Sequence, residues 1–218
     1  MRYVIRKAEK TDISFLVDCV INSEKINTDI ISYCSLFEIT EEDLRTQVTL
    51  AFTEEMSVFV WDVNQWLVML NDNEEIVAGL AYWIEPPEVN SETQKFQFLS
   101  YLNKSKVRDA QFMARFEAIK KLQIPRNSGL VQLDFLYTQP EYRGQGLMSQ
   151  LIKFVFNQFA IHNFQIQVLG SNLSAIKLYK KLAFETNIVV TLKGLHEAKL
   201  MPDDTKLNMI KHGTNRNL

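Results

Sequence analysis

Hydrophobic positions along the chain follow two spacings, which alternate from one end to the other. Short apolar runs bounded by turn residues predict strands at residues 3–5, 66–70, 76–84, 130–137, 164–169, 185–192 and 206–211. Apolar residues three or four positions apart predict helices at residues 13–21, 40–52, 91–122, 147–159 and 172–182. Helices interleaved with strands are typical of the α/β class, and 218 residues can bury one full core, so we expect a single domain over residues 1–218.

The longest departure from this alternation lies between the third and fourth predicted strands. Pro86 and Pro87 end the third strand because neither residue carries a backbone N–H. We expect a helical insertion at about residues 88–127, formed by one or two helices with a break near residues 103–105. An insertion of this kind can cover a sheet edge, make a dimer contact or line a binding site, and the sequence leaves these alternatives open.

A strand, a tight glycine turn and a helix follow one another within residues 130–159. Pro140 ends the strand, Gly144 and Gly146 lie in the turn, and the apolar spacing of a helix starts at Leu147. Glycines let a backbone approach a ligand closely, and the first-turn amides of a helix are unpaired donors at its positive end. The turn is therefore a candidate seat for a phosphate or diphosphate.

Two other phosphate-binding motifs do not fit this turn. A Walker loop requires a lysine directly after its last glycine, whereas Leu147 follows Gly146. A dinucleotide fingerprint requires a third glycine or alanine where Ser149 stands, and an acidic residue about twenty positions on, where residues 162–164 are His, Asn and Phe. Both motifs are excluded.

The segment PEYRGQGLMSQLI resembles the coenzyme-A diphosphate loop of the GNAT family of N-acetyltransferases, whose pattern is Arg/Gln-x-x-Gly-x-Gly/Ala. Arg143 and Gly146 match this pattern, whereas Met148 replaces its last small residue. Further on, SNLSAIKLYKKLAFE resembles the second signature of the family, Asn-x-x-Ala-x-x-Leu-Tyr-x-x-x-Gly-Phe, with Ala183 in place of the glycine. The residues that match this second signature are Asn172, Ala175, Leu178, Tyr179 and Phe184. The resemblance covers residues 130–184, and the two motifs occur in the order that the family requires.

The resemblance implies the GNAT acyl-CoA N-acyltransferase fold, a mixed, strongly twisted sheet flanked by helices. It also implies an enzyme: an acyltransferase that transfers an acetyl group from acetyl-coenzyme A (acetyl-CoA) to a primary amine, by direct attack in a ternary complex. Acetyl-CoA is then a co-substrate, and no metal is implied. The residues expected to bind it are Leu136, Tyr137, Thr138, Arg143, Gly144, Gln145, Gly146, Leu147, Met148, Ser149, Asn172 and Tyr179.

The resemblance also assigns catalytic roles. Tyr179 would be the general acid that protonates the departing thiolate, although a tyrosine at this helical spacing can also be core packing. Asn172 would hydrogen-bond the pantetheine arm, cap its helix, or do both. Asp134 is a candidate general base if an apolar setting raises its pKa. Glu85 is its rival, and water or backbone without a dedicated base is the third alternative.

Charge is unevenly distributed, although the formal net charge is only -2. Residues 1–90 carry 6 lysine and arginine residues against 17 aspartate and glutamate residues, whereas residues 91–126 carry 8 against 3. The acidic half could steer a cationic amine, or be an ordinary solvated surface. We therefore expect a small-molecule amine as acceptor. The alternatives are a non-catalytic acyl-CoA-binding or sensory module on the same fold, and an interaction protein that acts through its basic insertion.

Other functional classes lack the residues that they need. The three histidines have no ligand spacing with one another or with the two cysteines, so no metal site is expected. No Gly-x-Ser-x-Gly motif of a serine hydrolase occurs, and the lysines of residues 95–121 lack the aromatic interleaving of a nucleic-acid surface. Without a bilayer-spanning run or a signal-like amino terminus, we expect a cytoplasmic monomer or homodimer with no nucleic-acid or membrane partner.

Overall fold

The structure, a computed structural model, describes residues 2–25, 28–53, 59–88, 90–104, 107 and 109–214. The strands are β1 (Val4–Lys7), β2 (Trp66–Leu70), β3 (Ile76–Ile84), β4 (Val131–Thr138), β5 (Phe164–Leu169), β6 (Glu185–Thr191) and β7 (Thr205–Lys211). The helices are α1 (Ile13–Asn22), α2 (Ser32–Phe37), α3 (Glu41–Thr53), α4 (Ser91–Leu102), α5 (Ala110–Lys120), α6 (Leu147–Gln158) and α7 (Leu173–Lys181). One 3-10 turn precedes α1, two precede β2, and one precedes the glycine turn.

Within the described residues, the strands form one sheet in the order β1-β2-β3-β4-β5-β7-β6. The strands β1 to β4 are antiparallel neighbours, β4 and β5 are parallel, and β7 pairs antiparallel with both β5 and β6. This mixed sheet, with helices on both faces, confirms the predicted fold class.

The two faces of the sheet bury separate hydrophobic clusters. Side chains alternate along β2, so that Leu67 and Met69 pack with α6 and α7, whereas Trp66 and Val68 pack with α1 to α5. A fully buried side chain such as Leu151 of α6 stabilises the fold by about 1.5–3 kcal/mol relative to an exposed one. Packing from both faces holds β4 and β5 in place, and the site described below lies where these two strands end.

Local hydrogen bonds fix the start of α3 and the turn between β2 and β3. Thr40 and Asp43 make a capping box at the start of α3, in which the Asp43 N–H donates to Thr40 Oγ1 (3.1 Å) and the Thr40 N–H donates to Asp43 Oδ2 (3.0 Å). In the turn between β2 and β3, Asn71 Oδ1 accepts hydrogen bonds from the N–H groups of Asn73 and Glu75. The predicted bounds of β2, β3 and β5 agree with the observed ones.

Two helices occupy the insertion between β3 and β4. The side chain of Asn90 caps α4 and that of Asp109 caps α5. The predicted break falls between them, although Ser105 lies outside the described residues. Helix α2 was not predicted, because Ile31 occupies its N-cap position and its sequence therefore carries no start signal.

Candidate active site

Strands β4 and β5 separate along their length. Pairing joins residues 131–133 of β4 to residues 164–166 of β5, and in the described remainder of both strands there is no further pairing between them. The backbone groups on the facing edges beyond Leu133 are therefore available to a ligand. An extended, amide-bearing molecule can bind such an edge as an added strand does.

A β-bulge lies in β4 where the separation begins. Asp134 pairs with Ala81 and Tyr137 with Gly79, so β4 contains one residue more than β3 across this interval. Phe135 adopts a φ of 50°, which is rare for a bulky residue, and its ring stacks on Trp66 with an interplanar angle of 4°. The alternation of side chains between the two faces of the sheet is therefore interrupted at this point of β4.

The glycine turn presents a run of unpaired amides. Gly144 and Gly146 have φ values of 77° and 78°, and α6 begins at Leu147 as its sequence predicts. Within the described chain, the N–H groups of residues 144–149 donate to no protein acceptor. Met148 therefore keeps its backbone amide in the first turn of the helix, where anions bind.

These amides open into a groove of about 830 Å³, called here the outer groove. All the residues predicted to bind coenzyme line it except Gln145, whose side chain instead accepts a hydrogen bond from the Tyr3 hydroxyl (2.8 Å). The exposed Arg143 side chain donates to the Thr138 carbonyl (3.0 Å), which places a positive charge at the rim. The outer groove is also lined by Asn22, Ser23, Lys25, Tyr142, Ser171, Leu173, Ser174, Ala175 and Leu178.

Asn172 and Tyr179 lie at the inner end of the outer groove. Asn172 Oδ1 accepts a hydrogen bond from the Ala175 N–H (3.1 Å), so the predicted helix cap is confirmed. Tyr179 is 5% exposed, and its hydroxyl has no hydrogen-bond partner among the described residues. Burial raises the pKa of Tyr179 well above its ordinary value, and the charge of Asp134 raises it further. The phenol is therefore protonated at neutral pH.

A second, more enclosed cavity of about 180 Å³, called here the inner cavity, lies behind Tyr179. It shares Ser23, Leu136, Asn172 and Tyr179 with the outer groove. Both helices of the insertion contribute to its wall, through Glu92, Lys95 and Phe96 of α4 and Phe116 and Ile119 of α5. Of the three roles considered for the insertion, the structure therefore shows that it lines a cavity.

A buried ion network crosses the wall of the inner cavity. Arg126 donates to Glu92 (2.5 Å) and to Asp134 (2.6 Å), and Lys95 lies 3.2 Å from Glu92 and 3.7 Å from Asp134. Burial opposes ionisation of Glu92, but Lys95 and Arg126 together hold its pKa well below its ordinary value. The pKa values of Lys95 and Arg126 are raised against the opposing effect of burial, mainly by Glu92. Glu92, Lys95 and Arg126 are therefore charged.

The two carboxylates considered as general base lie in different surroundings. Asp134 lines the inner cavity, but the premise of an apolar setting is wrong, because its carboxylate contacts Arg126 and Lys95 and accepts the Phe135 N–H (2.9 Å). These contacts favour an anchoring role over proton removal. Glu85 lies outside the described cavities and accepts hydrogen bonds from Trp83 Nε1 and from the N–H and hydroxyl of Ser91.

Two further charged residues of the inner cavity carry no sequence motif. Glu24 follows α1 and accepts hydrogen bonds from the N–H and hydroxyl of Ser32, both 2.7 Å long. The side chain of Lys206, on β7, makes no hydrogen bond or ion pair within the described part of the chain. The sequence offered no signal for either, because neither residue lies in a motif and the segments that carry them meet only in the folded chain.

Neither a metal site nor a membrane span is found among the described residues. No group of three or more His, Cys, Asp or Glu side chains there could hold a metal ion. None of the described helices is both long enough and apolar enough to cross a bilayer.

Comparison with known proteins identifies the family. The model of the acetyltransferase (GNAT) family matches residues 33–184, which is more than half of the chain. The chain belongs to the acetyltransferase (GNAT) family. The recognition made from the glycine turn and the second signature is thereby confirmed, and acetyl transfer is the general activity of this family.

Solved GNAT-fold structures resemble this GNAT protein over almost its whole length. An N-acetyltransferase from Staphylococcus aureus superposes with a TM-score of 0.60 at 13% identity, covering 95% of this chain and 99% of its own. A GNAT superfamily phosphinothricin acetyltransferase from Sinorhizobium meliloti, in complex with acetyl-CoA, gives 0.55 at 15%, covering 100% and 92%. A putative acetyltransferase from Salmonella typhimurium with its cofactor acetyl-CoA gives 0.54 at 13%, covering 100% and 98%. No curated protein sequence matches the chain significantly.

Proposed function

We propose that this protein is an N-acetyltransferase that transfers the acetyl group of acetyl-CoA to a primary amine of a small molecule, within a ternary complex. The observation that carries the proposal is the junction of the two cavities at Tyr179. An outer groove with unpaired amides suits the coenzyme, and an inner cavity reached at the same phenol suits the acceptor.

The outer groove has the features that acetyl-CoA requires. The amides of residues 144–149 and the charge of Arg143 would hold the diphosphate. The unpaired edge of β4 at Leu136, Tyr137 and Thr138 would bind the amide-rich pantetheine arm. The side-chain nitrogen of Asn172 has no partner among the described residues and could donate to the same arm.

The chemistry needs three proton movements and one exchange of bonds: the nitrogen loses one proton before attack and a second after it, and the departing sulfur gains one. The ammonium must lose a proton before its nitrogen attacks the thioester carbonyl carbon, where the C–N bond forms and the C–S bond breaks. Tyr179, protonated and without a hydrogen-bond partner in the described structure, would donate its proton to the departing sulfur, and the second proton lost by the nitrogen would restore the phenol. A backbone amide of the β4 bulge would polarise the carbonyl oxygen. Asp134 lies close enough to influence the pKa of Tyr179, and we assign it to anchoring Arg126 and Lys95.

The size of the inner cavity favours a small acceptor. An apolar cavity of about 150 Å³ holds a benzene molecule. A space of about 180 Å³ therefore admits a compact amine and excludes a folded protein surface.

Two measurements on the purified protein test this function. Acetyl-CoA at a hundred times its dissociation constant should stabilise the fold by about 2.7 kcal/mol, seen as a rise in melting temperature. Release of free thiol should then depend on the amine supplied from a panel of small amines. Stabilisation without thiol release from any amine would favour a non-catalytic acyl-CoA sensor, and the absence of both would contradict the proposal.

A further inference from the structure

Not every charged side chain that lines the inner cavity has an ion-pair partner among the described residues. Three anions and three cations line it: Glu24, Glu92, Asp134, Lys95, Arg126 and Lys206. Glu92 and Asp134 form ion pairs with Lys95 and Arg126, which accounts for four of the six. Glu24 and Lys206 each remain without an ion pair to any described residue.

The surroundings of Glu24 and Lys206 favour the neutral form of each group. Burial raises the pKa of the Glu24 carboxyl above its ordinary value, and the hydrogen bonds from Ser32 and the charges of Lys95 and Lys206 offset only part of this effect. Burial also lowers the pKa of the Lys206 ammonium; Glu92 and Asp134 offset part of this effect, and Arg126 and Lys95 add to it. Each group would therefore gain from a ligand of opposite charge, since desolvated charges interact most strongly when they are paired.

The positions of the two groups suit the two ends of one ligand. Glu24 lies between Ser23, which lines both cavities, and Lys25, which lines the outer groove, so it is close to the junction where the thioester would be. Lys206 lies on β7 opposite Leu169 of β5, in a different wall. A ligand amine can thus face the junction while an anionic group lies against β7.

We propose that the acceptor is a small aminocarboxylate, bound with its ammonium at Glu24 and its carboxylate at Lys206. The inference rests on the proposed function and narrows its substrate class. Glu24 would also accept the proton that the ammonium must lose before attack and pass it to solvent. The second proton of the nitrogen restores the phenol of Tyr179, so that protons and charge balance. A cavity of about 180 Å³ fits a molecule of this size.

The test compares isosteric amines that differ in charge. Small α-, β- and γ-amino acids are paired with their carboxamides, which keep the amine and the volume but lose the anion, and thiol release from acetyl-CoA is followed. The carboxylate member of the preferred pair should have a kcat/KM at least about tenfold higher, because a charge-assisted contact replaces a neutral one. Equal use of acids and amides would overturn the inference and leave the proposed function intact. Absence of thiol release with every amine would overturn both.

Variants of Lys206 test whether this residue is the one that binds the carboxylate of the acceptor. Lys206→Met should raise KM for the amino acid by about 10- to 100-fold and leave KM for its amide unchanged. Lys206→Arg should recover part of the loss, and Lys193→Met, the same change at an exposed position outside the cavities, should have no effect. The melting-temperature rise with acetyl-CoA checks that each variant is folded. An equal loss with acid and amide would contradict carboxylate binding at Lys206.

A variant of Glu24 tests the other end of the ligand. Glu24→Gln should lower kcat for acid and amide alike, because both carry the amine, with acetyl-CoA binding retained. Glu42→Gln, an exposed carboxylate on α3, is the matched control. Unchanged turnover in Glu24→Gln would remove Glu24 from the proposal.

Discussion

The outer groove and the inner cavity meet at Tyr179, but they are built from different parts of the chain. The groove takes its donors from the backbone of one continuous stretch, residues 144–149. The cavity takes its charges from side chains on five separate segments, which include α4, β4 and β7. A backbone site should tolerate changes of side chain and be sensitive to changes of conformation. A site made from paired side chains should behave in the opposite way.

The largest effect is expected from breaking the ion network of the inner cavity. Arg126→Met removes a buried guanidinium and leaves the half-buried Glu92 and Asp134 with Lys95 as their remaining ion-pair partner among the described residues, so the free energy of unfolding should fall by about 3–5 kcal/mol. Denaturant unfolding measures this, with the exposed Arg2→Met as control. A loss below about 1 kcal/mol would mean that the network contributes no more than surface pairs do.

Removing the phenol at the junction should affect turnover and not binding. Tyr179→Phe should lower kcat by about 100-fold, since general acid catalysis commonly contributes that much or more. Its dissociation constant for acetyl-CoA, measured by calorimetry, should stay within about twofold of the wild type, because the diphosphate contacts are untouched. Tyr101→Phe, at a position 67% exposed, is the control. Full activity in Tyr179→Phe would exclude the phenol as the acid.

The conformation of the glycine turn can be tested against a glycine with the same backbone angle. Gly146 and Gly129 both have a φ of 78° and open space where the methyl group of an alanine would lie, so alanine at either should cost about 1–2 kcal/mol of stability. Only Gly146→Ala should also weaken acetyl-CoA binding, by about tenfold, because it alone alters the amides of the outer groove. Equal coenzyme affinity in the two variants would contradict the role of these amides.

The smallest effect is expected from the residue that departs from the family pattern. Met148→Ala removes a half-buried side chain and keeps the backbone amide, so the dissociation constant for acetyl-CoA should change less than about threefold. Calorimetry on the two proteins measures the difference. A tenfold change in either direction would show that the side chain takes part in binding.

The same contrast explains what the sequence could predict. The glycine turn and the second signature are each one continuous stretch of sequence, so their residues could be identified before the fold was known. All the residues expected to bind the coenzyme, except Gln145, line the outer groove. Met148 does not shift the start of α6, because Gly146 already provides the turn that precedes it. The strands and most helices followed from hydrophobic spacing.

The inner cavity could not be predicted in this way. Arg126 and Glu92 are 34 positions apart and meet only because the end of the insertion returns to the start of α4. The expected apolar setting of Asp134 is wrong because no sequence pattern around it indicates the contacts with Arg126 and Lys95. The bulge at Phe135 also interrupts the alternation of side chains along β4, and no sequence pattern indicates where it falls.

A crystal structure with acetyl-CoA is the most direct test of the account. We expect the diphosphate oxygens within about 2.7–3.2 Å of the amide nitrogens of residues 144–149, and the thioester sulfur within hydrogen-bonding reach of the Tyr179 hydroxyl. A diphosphate bound elsewhere, or an empty outer groove at saturating coenzyme, would contradict the account.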